Sequence, residues 1–299
     1  MAEHLSFEDE ISKNKIKSFL LMGIIIVFFI ILGYIIALVL DPSYFFIIMI
    51  FSIIFSLSYT LISYYNSDKI ALMSVNAKPA NPTLHRQLLH SVESMSLASG
   101  LPMPRVYVME SNGINAFASG RDPSHAVICV TTGAMSKLNK QELEGVIAHE
   151  MSHIANFDIR FMTLTAVLIG LISILAQLFL RSLWFKGNDR DSKAGAILMI
   201  VGIIFAILAP IAAQLVQLAI SRRREFVADA TGVKFTRYPP GLKNALIKIK
   251  NEHVAEQEKN KYPKAVAPLF ISDPFKKKVQ NLFSTHPDIN VRIQRLDSM

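Results

Sequence analysis

A single cysteine, Cys129, stands in a chain of 299 residues, so no intrachain disulfide can staple the fold. That fits a reducing compartment. Its setting, Ala126-Val127-Ile128-Cys129-Val130, reads as a buried small hydrophobe rather than a nucleophile. Charge is scarce too: 18% of residues are charged and 52% hydrophobic, with mean hydropathy +0.37. That balance excludes an ordinary soluble domain, and the charge that remains excludes a pure membrane bundle. A membrane protein with a folded, water-facing part is expected. Four runs, 18–40, 42–67, 161–180 and 194–221, contain no Asp, Glu, Lys, Arg or His. A transporter or channel is disfavoured on that ground, because an ion or proton path normally needs an ionisable group within a span. No internal repeat is present. No nucleic-acid motif accompanies the net charge of +8, so nucleic acid is not an expected partner.

Each uncharged run reaches the ~20 residues that a membrane helix requires. The first is not a cleavable signal peptide, since its apolar core exceeds the ~7–15 residues of such a core and no small-residue cleavage site follows. Asp41-Pro42 forms a tight turn, so the first two runs make a hairpin. The last two make another, joined by the polar stretch 184–193, with Pro210 kinking the fourth. An even number of spans puts both termini on one side. Lys13, Lys15, Lys17, Lys69, Lys78, Arg160 and Arg222 to Arg224 then share a face, which is expected to be cytoplasmic. Arg181, Lys186, Arg190 and Lys193 on the far side oppose that assignment.

The expected organisation is a cytosolic tail (1–17), a membrane hairpin (18–67), a first cytosolic catalytic part (68–160), a second hairpin (161–221) and a second cytosolic part (222–299). Segment 66–160 carries 8 basic and 8 acidic residues, whereas 222–299 carries 16 basic against 8 acidic, the whole of the chain's excess. A face lying close to anionic lipid explains that asymmetry. Lys276-Lys277-Lys278 reads as a solvated turn.

Within the first soluble part, a helix is expected from Asn81-Pro82 to about Ala98, with Leu84, Leu88, Val92, Met95 and Leu97 on its apolar side. Strand-like stretches follow at 105–109, 114–119 and 126–132. Asn139 and Glu142 form a capping-box pattern ahead of a helix through Leu143, Val146, Ile147 and Ile154.

That helix carries His149-Glu150-Met151-Ser152-His153. Histidines four apart on a helix share one face, so both imidazoles can reach one metal ion, and the intervening glutamate can take a proton from a water activated there. Such a site takes three protein ligands. Glu225, in Arg224-Glu225-Phe226-Val227-Ala228-Asp229, is the expected third, with Asp229, again four residues on, accepting a proton from a ligating histidine. Asp158 is the rival; on a continuing helix it would point about 140° away from the ligand face. A surface role for Glu225 beside its arginines, and a catalytically silent membrane scaffold, are the competing readings. An intact Glu150 argues against the scaffold. His85, His90, His125 and His253 have no companion at ligand spacing.

These residues resemble those of the HtpX family of membrane zinc metalloproteases, in a wider group with the CAAX prenyl proteases. The likeness extends over nearly the whole chain. It implies an α+β membrane protein in which four transmembrane helices carry a zincin-like (gluzincin) cytosolic metalloprotease domain with a small antiparallel sheet. It implies one Zn²⁺ per chain, polypeptide substrates drawn from unfolded or damaged membrane proteins, and a place in the bacterial inner membrane. Asn115-Ala116-Phe117-Ala118 resembles the family's edge strand, which pairs with extended substrate. Thr285-His286-Pro287 with Arg292 resembles its C-terminal motif, which implies that His286 and Arg292 stabilise the transition state.

Overall fold

The computed structural model describes residues 7–39, 42–184, 202, 222–252, 266, 269–271 and 287–299. Pro210 and the rest of the fourth apolar run except Gly202, nearly all of the polar loop before it, Lys276 to Lys278, His253 and His286 lie outside the described residues.

The chain opens with α1 (Phe7–Val39) and α2 (Phe45–Tyr65). Both are long and apolar enough to cross a membrane, over Ile11–Tyr34 and Phe45–Tyr65. At ~1.5 Å per residue, the 21 residues of α2 reach about 30 Å, the thickness of a bilayer's hydrocarbon core. The two helices close on each other where Gly33 faces Ser52; a Cβ on Gly33 would meet Ser52 Oγ at 1.9 Å. Phe29 adds edge contacts to Phe55 and Tyr59, with ring centroids 5.0 and 5.3 Å apart. Two of the serines along α2 are satisfied inside the helix, Ser52 Oγ donating to Ile48 O and Ser56 Oγ to Ile53 O. The outer faces present Phe46, Ile47, Phe51 and Ile54 in the open. In water that surface would be costly; against lipid it is the expected exterior.

A short helix, α3 (Ser67–Ser74), leads to β1 (Lys78–Pro79) and then α4 (Arg86–Ser99). Leu88, Val92 and Met95 are buried, but Leu84 and Leu97 are 78% and 80% exposed, contrary to expectation. Leu84 falls in the turn before the helix, where the Asn81 side chain accepts from the N–H groups of Thr83 and Leu84. Leu97 lies two residues past Met95, about 200° around the helix.

The strands β2 (Arg105–Met109), β3 (Ala116–Gly120) and β4 (Ala126–Thr131) join β1 in one sheet of order β1-β2-β4-β3. It is mixed, not antiparallel as expected: β2 pairs with β4 in parallel, while β1–β2 and β3–β4 are antiparallel. The apolar run of β4 is buried on both faces, which favours a central strand. It folds back on β3 as a hairpin, so β2 takes its other edge and comes to run parallel to it. That leaves β3 at one edge of the sheet and β1 at the other.

After α5 (Thr132–Lys137) comes α6 (Lys140–Ala155). Its capping box is present: Asn139 N–H donates to Glu142 Oε2 at 2.8 Å, and Glu142 N–H to Asn139 Oδ1 at 2.9 Å. From Gly145 to Ile154 every residue is buried. Helix α6 is thus the hub of the soluble part, packed against α4, β3, α8 (Arg222–Thr236) and α9 (Pro239–Asn251). The last element, α10 (Ile289–Asp297), packs on α9 and α8.

A break, not a continuous rod, joins α6 to α7 (Asp158–Trp184). Phe157 adopts φ 58°, a left-handed conformation uncommon outside glycine, and the two helices cross at 87°. The third apolar run lies within α7. Only if α6 and α7 up to Ile172 are taken together do they count as a third, broken span. Phe161, Leu164 and Leu168 pack on Leu21, Ile25 and Phe29 of α1.

Helices α6 and α9 touch backbone to backbone at Gly145; a Cβ there would meet Leu242 N at 2.4 Å. Gly145→Ala is expected to push the helices apart and destabilise the soluble part by about 1–3 kcal/mol. A thermal melt of the detergent-purified chain with an unchanged midpoint would show that the contact is slack.

Candidate metal centre

Three elements converge on one point. Helix α6 supplies His149, Glu150 and His153, α8 supplies Glu225 and Asp229, and α10 supplies Arg292; all six are at least 96% buried. Gly232 permits the close approach of α8, since a Cβ on it would meet His149 N at 3.0 Å.

The metal-facing atoms of His149, His153 and Glu225 lie within 4.8 Å of one another. The two Nε2 atoms are 3.3 Å apart, and the Glu225 oxygens lie 3.7 Å from each. Ligands ~2.1 Å from a tetrahedral zinc are separated by about 3.4 Å, so the spacing suits that ion. The proton positions point the same way. His149 Nδ1 donates to Asp229 Oδ1 at 3.0 Å and His153 Nδ1 to Asp158 Oδ2 at 3.0 Å. Each imidazole then turns an Nε2 lone pair inward, toward its neighbour and the Glu225 carboxylate. Two such nitrogens and a carboxylate facing one another in a buried space call for positive charge between them, a metal ion or, without one, a proton.

Arg292 does not point into that space. Its Nε and Nη2 donate to the two oxygens of Asp229 at 2.9 and 2.7 Å, and Nη1 lies 3.2 Å from Glu225 Oε2. It holds the carboxylate behind His149 and a carboxylate in front of it. Burial raises the Asp229 carboxyl, but Arg292 and His149 outweigh that and hold it below the usual range.

Burial lowers the His149 pKa. At His153 burial also works downward, but Asp158, Glu225 and Glu150 prevail and bring it to about 9. The metal-free site therefore holds a proton where it would otherwise hold a metal. Burial and the nearby Glu225 charge raise Glu150 to about 7, although His153 and the Ala118 N–H pull it down. The thiol of Cys129 is pushed up by burial and is inert.

Asp158 is not a ligand but the outer partner of His153, a role that the continuing-helix argument missed. The break at Phe157 turns α7 so that its first residue lies behind the imidazole. Asn14 of α1, also buried, was not anticipated at all. Its Nδ2 donates to Asp158 Oδ1 at 2.7 Å and to Asn156 O at 3.0 Å. Lys13, Lys17, Arg223 and Arg224 surround a cavity of about 220 Å³ beside Asp158, which balances its charge from the side where α1 enters.

Of the expected substrate-binding residues, Asn115, Ala116, Phe117 and Ala118 all lie on or just before β3, the sheet edge beside α6, and all are buried. Among the other histidines, His125 pairs with Asp122, and His85 Nδ1 accepts from Asn81 N–H.

A helix-borne His-Glu-x-x-His completed by a carboxylate from a later helix defines a metalloprotease site. Residues 79–299 match peptidase family M48. A "Protease HtpX homolog" of Caldanaerobacter subterraneus subsp. tengcongensis is 48% identical over 84% of this chain and 84% of its own length. Another, of Dictyoglomus thermophilum, is 41% identical over 98% of this chain and 95% of its own. A third, of Tropheryma whipplei, is 38% identical over 97% of each. Among solved structures, S. mikatae Ste24p is similar at TM-score 0.44 and 21% identity, over 89% of this chain and 62% of that one, a level that carries no argument. The chain belongs to peptidase family M48 and is a membrane metalloprotease of the HtpX kind.

Asp158→Ala is expected to weaken zinc affinity about 10–100-fold while leaving the metal stoichiometry intact. Competition with a chromogenic chelator reads the affinity directly; an unchanged value would reduce Asp158 to a packing residue. Zinc binding to the chelator-stripped protein at pH 7 should also release about one proton, seen as a buffer-dependent heat in calorimetry.

Proposed function

We propose that this metalloprotease is a zinc-dependent endopeptidase of the membrane surface. It cleaves locally extended stretches of unfolded or damaged membrane proteins. It sits in the bacterial inner membrane on four spans, with the catalytic parts and both termini in the cytoplasm. The observation that carries the reading is the cluster of His149, His153 and Glu225, with Glu150 buried beside it and membrane helices leading away from it.

Zinc held by these three residues would polarise the scissile carbonyl and lower the pKa of a water from ~15.7 to about 7. Glu150 takes the proton of the attacking water and returns it to the leaving amine. Its pKa of about 7 in the metal-free protein suits a group that both accepts and gives back a proton at neutral pH; a cation in the site draws that value down and favours the acceptor form. Asp229 and Asp158 fix the imidazole tautomers. Arg292 fixes Asp229 and Glu225, which makes it a positioning residue in this geometry. His286 is the candidate for stabilising the oxyanion. The substrate adds a strand to β3 along Asn115 to Ala118. Folded domains cannot offer such a strand, whereas an unfolded segment can.

Glu150→Gln should keep one zinc per chain and lose about 10²–10⁴-fold in cleavage of an unfolded model protein. Full turnover by the pure, metal-replete variant would remove Glu150 from the mechanism. Glu225→Ala should lose tight zinc and activity together, and stoichiometric zinc in that variant would overturn its assignment as the third ligand.

A further inference from the structure

The outer edge of β3 is not open. Ile271 N–H donates to Ala116 C=O at 3.0 Å, and Phe270 forms an antiparallel bridge with Phe117. Along an antiparallel strand, alternate residues direct both backbone groups to the same edge. Asn115 C=O accepts from Thr131 N–H on the β4 side, so Ala116 and Ala118 face outward. The Ala116 N–H is taken by Asn115 Oδ1 and the Ala118 N–H by Glu150, so the Ala116 carbonyl is the outward group that Ile271 uses and that a docking peptide would use.

We propose that Leu269-Phe270-Ile271 is a built-in occupant of the substrate edge, an autoinhibitory strand that an extended polypeptide must displace to reach the site. The proposal rests on the reading of β3 as the strand that docks substrate.

Four observations support it. The three residues run antiparallel to β3, the polarity of strand addition. They are at least 97% buried, so they fill the place rather than skirt it. The Phe270 ring stands edge-on to Phe117, with centroids 5.4 Å apart, so a large apolar side chain already occupies that position. The Ile271 carbonyl accepts from Arg292 Nη1 at 3.4 Å, and that same nitrogen lies 3.2 Å from Glu225 Oε2. The occupant's carbonyl is therefore one guanidinium nitrogen away from a metal-ligand carboxylate.

Two consequences follow from this geometry. Among the described residues the occupant makes one backbone hydrogen bond to β3, so a longer peptide that forms a fuller ladder can replace it. The occupant also identifies the class of sequence the edge accepts: an extended stretch with an aromatic or large aliphatic residue opposite Phe117. When the strand leaves, Arg292 Nη1 loses the Ile271 carbonyl and keeps Glu225 Oε2, so a substrate carbonyl can take the vacated contact.

The test uses the full-length, zinc-loaded Glu150→Gln protein in detergent and a short fluorescein-labelled peptide with one Phe in a polar sequence. Hydrogen exchange of the Ile271 amide should rise at saturating peptide, while the Thr131 amide, bonded to Asn115, stays protected. Ile271→Pro, which removes the N–H donated to Ala116, should tighten peptide binding about three- to tenfold, the factor by which a mostly occluded population lowers apparent affinity. A Phe→Ser peptide should lose most of that binding. Unchanged Ile271 protection on binding, no peptide binding, or unaltered affinity in an Ile271→Pro protein of native thermal midpoint would each overturn the proposal. Displacement without hydrolysis by the wild-type chain would sink the endopeptidase reading and leave this one standing. Hydrolysis without displacement would do the reverse.

Discussion

The arrangement on which the rest depends is the pair of carboxylates behind the two histidines. Asp229 and Asp158 each hold an Nδ1 proton, and this alone makes both Nε2 atoms acceptors facing one another 3.3 Å apart. Swap either tautomer and the same side chains become a donor–acceptor pair with no call for a cation. The two carboxylates come from different helices, α8 and α7, and each is held in turn from a third. Arg292 of α10 holds Asp229, and Asn14 of α1 holds Asp158. The centre is thus assembled from segments whose direct contacts reach across as many as 144 residues, and no single element carries it.

This ties the metal centre to the membrane part. Helix α1 contributes both the apolar cluster around Phe161 and the amide that orients Asp158. The left-handed turn at Phe157 allows both: it ends the helix bearing His153, redirects the chain by 87°, and presents Asp158 to that histidine. Lys15 lies over the Phe157 ring at 4.4 Å and Arg160 at 5.4 Å, which steadies a conformation that is otherwise unfavourable for phenylalanine. A shift of α1 relative to α7 would therefore be felt at His153 through two hydrogen bonds.

Much of this was legible in the sequence where local rules suffice. The capping box at Asn139, the helix with His149 and His153, the three strand stretches and the two N-terminal apolar helices follow from caps, periodicity and run length. Glu225 and Asp229 were legible because spacing of four on a helix is informative. What failed was whatever depended on a junction. Treating α6 and α7 as one helix discarded Asp158, since the left-handed residue Phe157 and the 87° bend put it behind His153 instead of on the far side of a continuing helix. The sheet was misread because pairing order is a long-range choice: nothing local in Arg105–Met109 says that β4 will insert between it and β3. Asn14 carries no signal in a single sequence, being one polar residue among the lysines before a span.

The edge of the sheet formed by β3 is also the one that lies beside the metal centre. An exposed edge strand recruits any passing chain, and beside a hydrolytic centre that recruitment is cleavage. The usual remedies, a charge or a proline on the edge, would spoil the strand for substrate as well. A short apolar segment laid along it, as Phe270 and Ile271 are, keeps the edge covered without altering it. Placing the segment's carbonyl on Arg292 couples the cover to the residue that holds Asp229 and Glu225. An edge that is buried and apolar, and covered by a segment of the chain itself, meets both demands, and β3 is such an edge.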